Sequence, residues 1–202
     1  MDLLGLIKGH LGEAVLSQLS QQTGATPTQT ATATDGILST LLGGLAKNAQ
    51  GGGAENILGA LSRDHDGSIL SNIMGAVMGG GAAQSTPASN GAGILGHILG
   101  GQQANAAQVI SQASGVSQNG VADMMIKLAP LVMGVLGQQQ QQQNLNADGL
   151  AGMLGGAVQA QNNNPLMQLA TQFLDKNHDG SMVDDLMGMV GSRLLGGMFG
   201  NK

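Results

Sequence analysis

Two stretches of this chain repeat each other, and any fold has to accommodate both copies. Asp35-Gly36-Ile37 returns as Asp148-Gly149-Leu150. At the same offset, Leu61-Ser62-Arg63-Asp64-His65-Asp66-Gly67-Ser68 returns as Leu174-Asp175-Lys176-Asn177-His178-Asp179-Gly180-Ser181, and Ile73-Met74-Gly75 as Leu186-Met187-Gly188. A second correspondence links Val15-Leu16-Ser17-Gln18 with Val109-Ile110-Ser111-Gln112, Thr23-Gly24 with Ser114-Gly115, and Gly43-Gly44-Leu45 with Gly134-Val135-Leu136. Duplicated supersecondary units bury their apolar faces on one another, so the chain is expected to form two related halves. Residues 1–78 form the first, 93–202 the second. Residues 79–92, Gly-Gly-Gly-Ala-Ala-Gln-Ser-Thr-Pro-Ala-Ser-Asn-Gly-Ala, have the composition of a flexible linker.

The periodicity within each half is helical. Leu4, Ile7, Leu11, Val15 and Leu19 recur at spacings of three and four, one apolar stripe on a helix over residues 3–22, with Gly24 placed to cap it. Thr26-Pro27 reads as an N-cap followed by proline at the first helical position, opening a threonine-rich segment that leads into a helix over 36–48. In the second half, residues 104–114 predict a helix capped by Gly115, and Ser117 caps another through Leu128. Pro130 is expected to end or kink that helix before 131–137. The six glutamines 138–143 and Asn162-Asn163-Asn164 read as solvated loop or frayed helix end. No run alternates apolar and polar residues between hairpin turns, so the expected class is all-α: a bundle of small helices, rich in Gly and Ala, with Asp-Gly-Ser loops between helices.

Composition narrows what such a bundle can do. Its 35 glycines, two phenylalanines and lack of Tyr and Trp leave Leu, Ile, Val, Met and Ala to build the core. Absence of Cys removes disulfides, thiolate nucleophiles and Cys-ligated metal centres. The net charge of −5, with seven scattered basic residues, offers no face to neutralise phosphates, which argues against nucleic acid as a partner. The first eight residues lack the basic and apolar regions of a signal peptide. Residues 121–136, the most apolar candidate for a membrane span, are interrupted by Asp123, Lys127 and Pro130, so a cytoplasmic protein with no integral membrane segment is expected.

Half of the twelve acidic residues (Asp64, Asp66, Asp175, Asp179, Asp184 and Asp185) lie in or beside the two repeated loops. Asp175, Asn177 and Asp179 alternate ahead of Gly180 and Ser181, as in the first half of a calcium loop. There, oxygens on alternate residues of a tight turn point inward and the carbonyl of the seventh residue, here Ser181, adds a ligand. The bidentate Glu expected at the twelfth position is absent; Leu186 stands there, and Asp184 or Asp185 would close a shorter loop with weaker affinity. The first copy offers Ser62, Asp64, Asp66, Ser68 and Asn72, too little charge for tight binding. Against both copies stands the plain turn, in which Asp accepts backbone N–H bonds, Gly takes positive φ and Ser caps the next helix. His10, His65, His97 and His178 show no helical i,i+4 pair and read as structural or exposed. Neither Gly-x-Ser-x-Gly nor a phosphate loop occurs, so no enzyme is expected and no cofactor is required.

The run Gly93-Ile94-Leu95-Gly96-His97-Ile98-Leu99-Gly100-Gly101, the segment Leu128-Ala129-Pro130-Leu131-Val132-Met133-Gly134-Val135-Leu136-Gly137 and the Asp-Gly-Ser loops together resemble the bacterial domain-of-unknown-function family numbered 937, over nearly the whole chain. The resemblance implies a small all-helical bacterial protein, distantly similar to YidB-like proteins whose fold has been likened to a homeodomain; it brings no activity or catalytic residues. The expected function is therefore a non-enzymatic interaction or scaffold module, working through a protein partner or self-association, with weak calcium binding at Asp175, Asn177, Asp179, Ser181, Asp184 and Asp185. The alternatives are a DNA-associated helical protein and an amphipathic membrane-surface protein using the residue 3–19 stripe.

Overall fold

The computed structural model describes residues 2–64 and 90–161, and these are helical almost throughout, with no strand among them. Seven α-helices follow in order: α1 (Leu3–Thr23), α2 (Pro27–Asn48), α3 (Ala54–Asp64), α4 (Gly91–Leu99), α5 (Gln103–Ser114), α6 (Gln118–Gln143) and α7 (Ala147–Gln159). A π turn (Ala49–Gly53) joins α2 to α3, and a 3₁₀ turn (Gly100–Gln102) joins α4 to α5.

One tight corner is used three times. A residue in the left-handed conformation ends the first helix: Gly24 (φ 67°), Gly115 (φ 78°) or Asn144 (φ 48°). A single residue links, and a polar side chain then caps the next helix. Thr26 accepts from the Gln29 amide, Ser117 from Gly120 and Asn146 from Gly149, each satisfying one of the N–H groups a helix start leaves unpaired. Each corner is also tied by a side chain that donates to the carbonyl five residues on: Ser20 to Ala25, Ser111 to Val116 and Gln140 to Leu145.

The entry into each half follows a shared plan as well. Asp2 caps α1 by accepting from the Gly5 amide, and the helix is broken ten residues later at Gly12 (φ 58°, ψ 166°). Asn90 caps α4 by accepting from the Gly93 amide, and α4 ends ten residues later at Gly100 (φ 57°). The packing is reciprocal. α2 and α6 lie against each other; α1 packs on both, and so does α5. α3 packs on α6, α7 packs on α2, and α3 and α7 touch. Helices from both sides of residues 65–89 thus share one core, in which α2 from Ala33 to Ala46 and α6 from Leu128 to Gly137 are buried almost all round.

Several details differ from the sequence reading. The threonine-rich segment is not separate from the helix over 36–48; both belong to α2. Pro130 does not end α6. Lacking an N–H, it deprives the Ile126 carbonyl of its helical donor. The start of α4 lies against that carbonyl: a Cβ built on Gly91 would fall 1.8 Å from Ile126 O. The glutamine tract is neither loop nor frayed; it forms the last turns of α6, with Gln139 6% exposed and accepting from Gln143 Nε2 at 2.8 Å. Gly91 and Ala92, assigned by composition to the linker, open α4; residues 79–89 of that linker lie outside the described residues. The matching triplets Asp35-Gly36-Ile37 and Asp148-Gly149-Leu150 occupy unlike places, mid-helix in α2 and first turn of α7.

Candidate functional site

The residues of the second acidic loop, Asp175, Asn177, Asp179, Ser181, Asp184 and Asp185, lie outside the described residues, as do His178, His65, Asp66, Ser68 and Asn72 of the first copy and the Asn162-Asn163-Asn164 tract. The part of the first copy that is described bears on its geometry. α3 runs through Asp64, so Ser62 and Asp64 occupy helical positions two apart. Among the described residues, no three His, Cys, Asp or Glu side chains come together as a metal site. His10 and His97 are both exposed, on α1 and α4.

What the structure does bring together was not legible as a motif: a polar seam between the first turns of α1 and the first half of α2. Lys8 and Asp35, 27 residues apart in sequence, meet at 2.8 Å between Nζ and Oδ1, with their side chains 47% and 29% exposed. The contact pairs the charges without the alignment of a hydrogen bond. Beneath it is a hollow of about 60 Å³ lined by Lys8, Leu11, Leu16, Ala31, Thr34 and Asp35. Thr34 is 2% exposed and its hydroxyl has no hydrogen-bond partner; the same holds for Thr30, at 0%, one turn earlier on the same face. Other helical hydroxyls nearby are satisfied, Thr32 by Thr28 O and Thr40 by Gly36 O. Two threonines four residues apart with an aspartate next to the second, Thr30, Thr34 and Asp35, are the sequence signal that would have pointed here.

Polar contacts elsewhere are of a different kind. Ser39, buried in α2, donates to Gln161 Oε1 at 3.0 Å and so ties the end of α7 to the central helix. Asn48 Nδ2 donates to the carbonyls of His97 at 2.9 Å and Ile98 at 3.2 Å, satisfying oxygens that the C-terminus of α4 leaves free. Lys127 of α6 donates to Gln22 Oε1 of α1. These contacts hold helices in place rather than converge on a point where a substrate atom could sit. α6 is long and apolar enough to cross a membrane, with a mean hydropathy of 1.5 over its most apolar window; most of that stretch is buried within the protein.

Comparison with known proteins gives a family but no activity. No curated protein and no solved structure matches the chain. The chain belongs to the family described as bacterial protein of unknown function (DUF937), matched over residues 5–139 and 141–202.

Proposed function

We propose that this DUF937 member is a non-enzymatic helical scaffold that works by associating with protein, itself or another, and that the loop at Asp175, Asn177, Asp179, Ser181 and Asp184 or Asp185 binds calcium weakly. The observation that carries the scaffold reading is the reciprocal core. Among the described residues, the buried apolar side chains hold α2 and α6 between helices of the other half. The calcium reading rests on the alternation of oxygen-bearing residues before Gly180. The residue 3–19 stripe that a membrane-surface role would use is buried here, so nothing favours that alternative over the scaffold.

Calcium titration of the whole chain, followed by thermal melting and sedimentation velocity, tests both halves of this reading. A site with a dissociation constant of about 1 mM gains about 1.4 kcal/mol at 10 mM calcium, and the melting temperature rises by a few degrees. Asp179→Asn removes the rise. An unchanged melting temperature at millimolar calcium overturns the metal site. A chain that stays monomeric at every concentration and retains no protein partner, with calcium or without, overturns the scaffold.

A further inference from the structure

We infer that residues 3–11 form a releasable strap, hinged at Gly12 and latched by the Lys8–Asp35 contact, that leaves its seat on α2 as a unit while the rest of the core stays folded. Four independent features meet at this segment. Gly12, at φ 58° and ψ 166°, lies at the edge of a region essentially reserved for glycine and interrupts the helical ladder, so residues 3–11 are a separate short rod. A rod of this length is marginal as a helix by itself, and Gly5 and Gly9, both exposed, weaken it further. Its seat is imperfect: the hollow of about 60 Å³ lies beneath it. Finally, Thr34, which lines that hollow with Lys8 and Leu11, has a buried hydroxyl with no hydrogen-bond partner. Opening gives the Thr34 hydroxyl water, which offsets part of the loss when Leu3, Ile7 and Leu11 leave the core.

The other half contains the control. α4 follows the same plan from Asn90 to Gly100, yet it is pinned three ways. Asn48 holds its last carbonyls, Gly91 sits against the Ile126 carbonyl, and Gly44 of α2 presses on Ile98 and Leu99, where a Cβ would stand 2.7 Å from Ile98 Cγ2. On α6, ninety-one residues on from Thr30 and Thr34, the corresponding positions carry Val121 and Met125, both buried, so nothing in this helix arrangement demands hydroxyls. One local plan is therefore anchored firmly in one half and loosely in the other.

Amide hydrogen exchange on the intact chain, read by NMR, tests this. Amides of residues 6–11 should exchange at similar rates to one another and about tenfold or more faster than those of 94–99, because a strap opens as one piece. Trypsin should cut after Lys8 before it cuts after Lys127. Asp35→Asn should speed both readouts at the strap several-fold and leave 94–99 unchanged, and Thr34→Val should slow them. Rising salt should speed cleavage after Lys8 relative to Lys127 in the natural chain, a reading that needs no variant to fold. Rates graded from residue 6 to residue 11 would mean simple end fraying and overturn the strap. So would exchange no faster than in 94–99, an Asp35→Asn effect shared by both segments, or cleavage after Lys8 indifferent to salt.

Discussion

At Gly91 a hydrogen in place of a methyl group decides whether α4 can reach α6. Because an alanine Cβ at this position would lie 1.8 Å from the Ile126 carbonyl, Gly91→Ala has to push the two backbones apart or tilt α4, and a destabilisation of about 1–3 kcal/mol is expected from chemical denaturation. Gly152 of α7 is the contrasting case. Nothing lies within 4 Å of its missing Cβ and its φ is not positive, so Gly152→Ala should stabilise by about 0.5–1 kcal/mol, through helix propensity alone. If Gly91→Ala left the denaturation midpoint unchanged or raised it, the close approach of α4 to α6 would be wrong. Glycine excess in this chain thus has at least two separate physical origins. At Gly91 and Gly44 it permits backbone contact, whereas at Gly152 and Gly156 packing gives no reason for it. Thr34 is the polar counterpart: its hydroxyl lies buried without a partner, and Thr34→Val should raise stability by about 1 kcal/mol.

Among the elements, the thrice-used corner makes a shared quantitative expectation. Thr26, Ser117 and Asn146 each accept from the amide three residues on, so replacing each by alanine should cost about 1 kcal/mol, with Thr26 at the upper end because its capping box is reciprocated by Gln29. Three similar shifts in denaturation midpoint are the expected result; a null effect at one corner would show that water caps that helix equally well. The first two corners are legible in the sequence because Gly24 and Gly115 stand two residues before Thr and Ser caps. The third is hidden, since Asn144 replaces glycine and the preceding glutamines look like a polar tract, although Gln139 and Gln140 both make specific contacts in the structure. Pro130 is expected to end or kink its helix, and the structure excludes the end. Burial of α6 on both sides of the proline outweighs the lost bond. α3 escapes sequence reading because Gly51-Gly52-Gly53 precedes it, and the Lys8–Asp35 seam because no local spacing links residues so far apart.

For the whole molecule, the decisive question is whether the described helices before and after residues 65–89 unfold as two units or one. Each half-chain's central helix is enclosed by elements of the other: α2 meets α5, α6 and α7, and α6 meets α1, α2 and α3. The composition break around residues 79–92 suggests separable domains, yet separable domains meet across modest interfaces that leave each core complete, and here neither central helix is complete without the opposite half. Leu41 on α2 and Leu131 on α6 are both fully buried in this shared core. Leu41→Ala and Leu131→Ala should each destabilise by about 2–5 kcal/mol. In differential scanning calorimetry both should move one common transition, because removing packing from either central helix loosens the surface that supports the other. Independent halves would instead show two transitions, each shifted by one substitution only, and the reciprocal core would then fail as the basis of the scaffold. The strap over residues 3–11 fits within this single cooperative unit as its least anchored part: its opening should be visible in exchange before, and separately from, the calorimetric transition that α2 and α6 share.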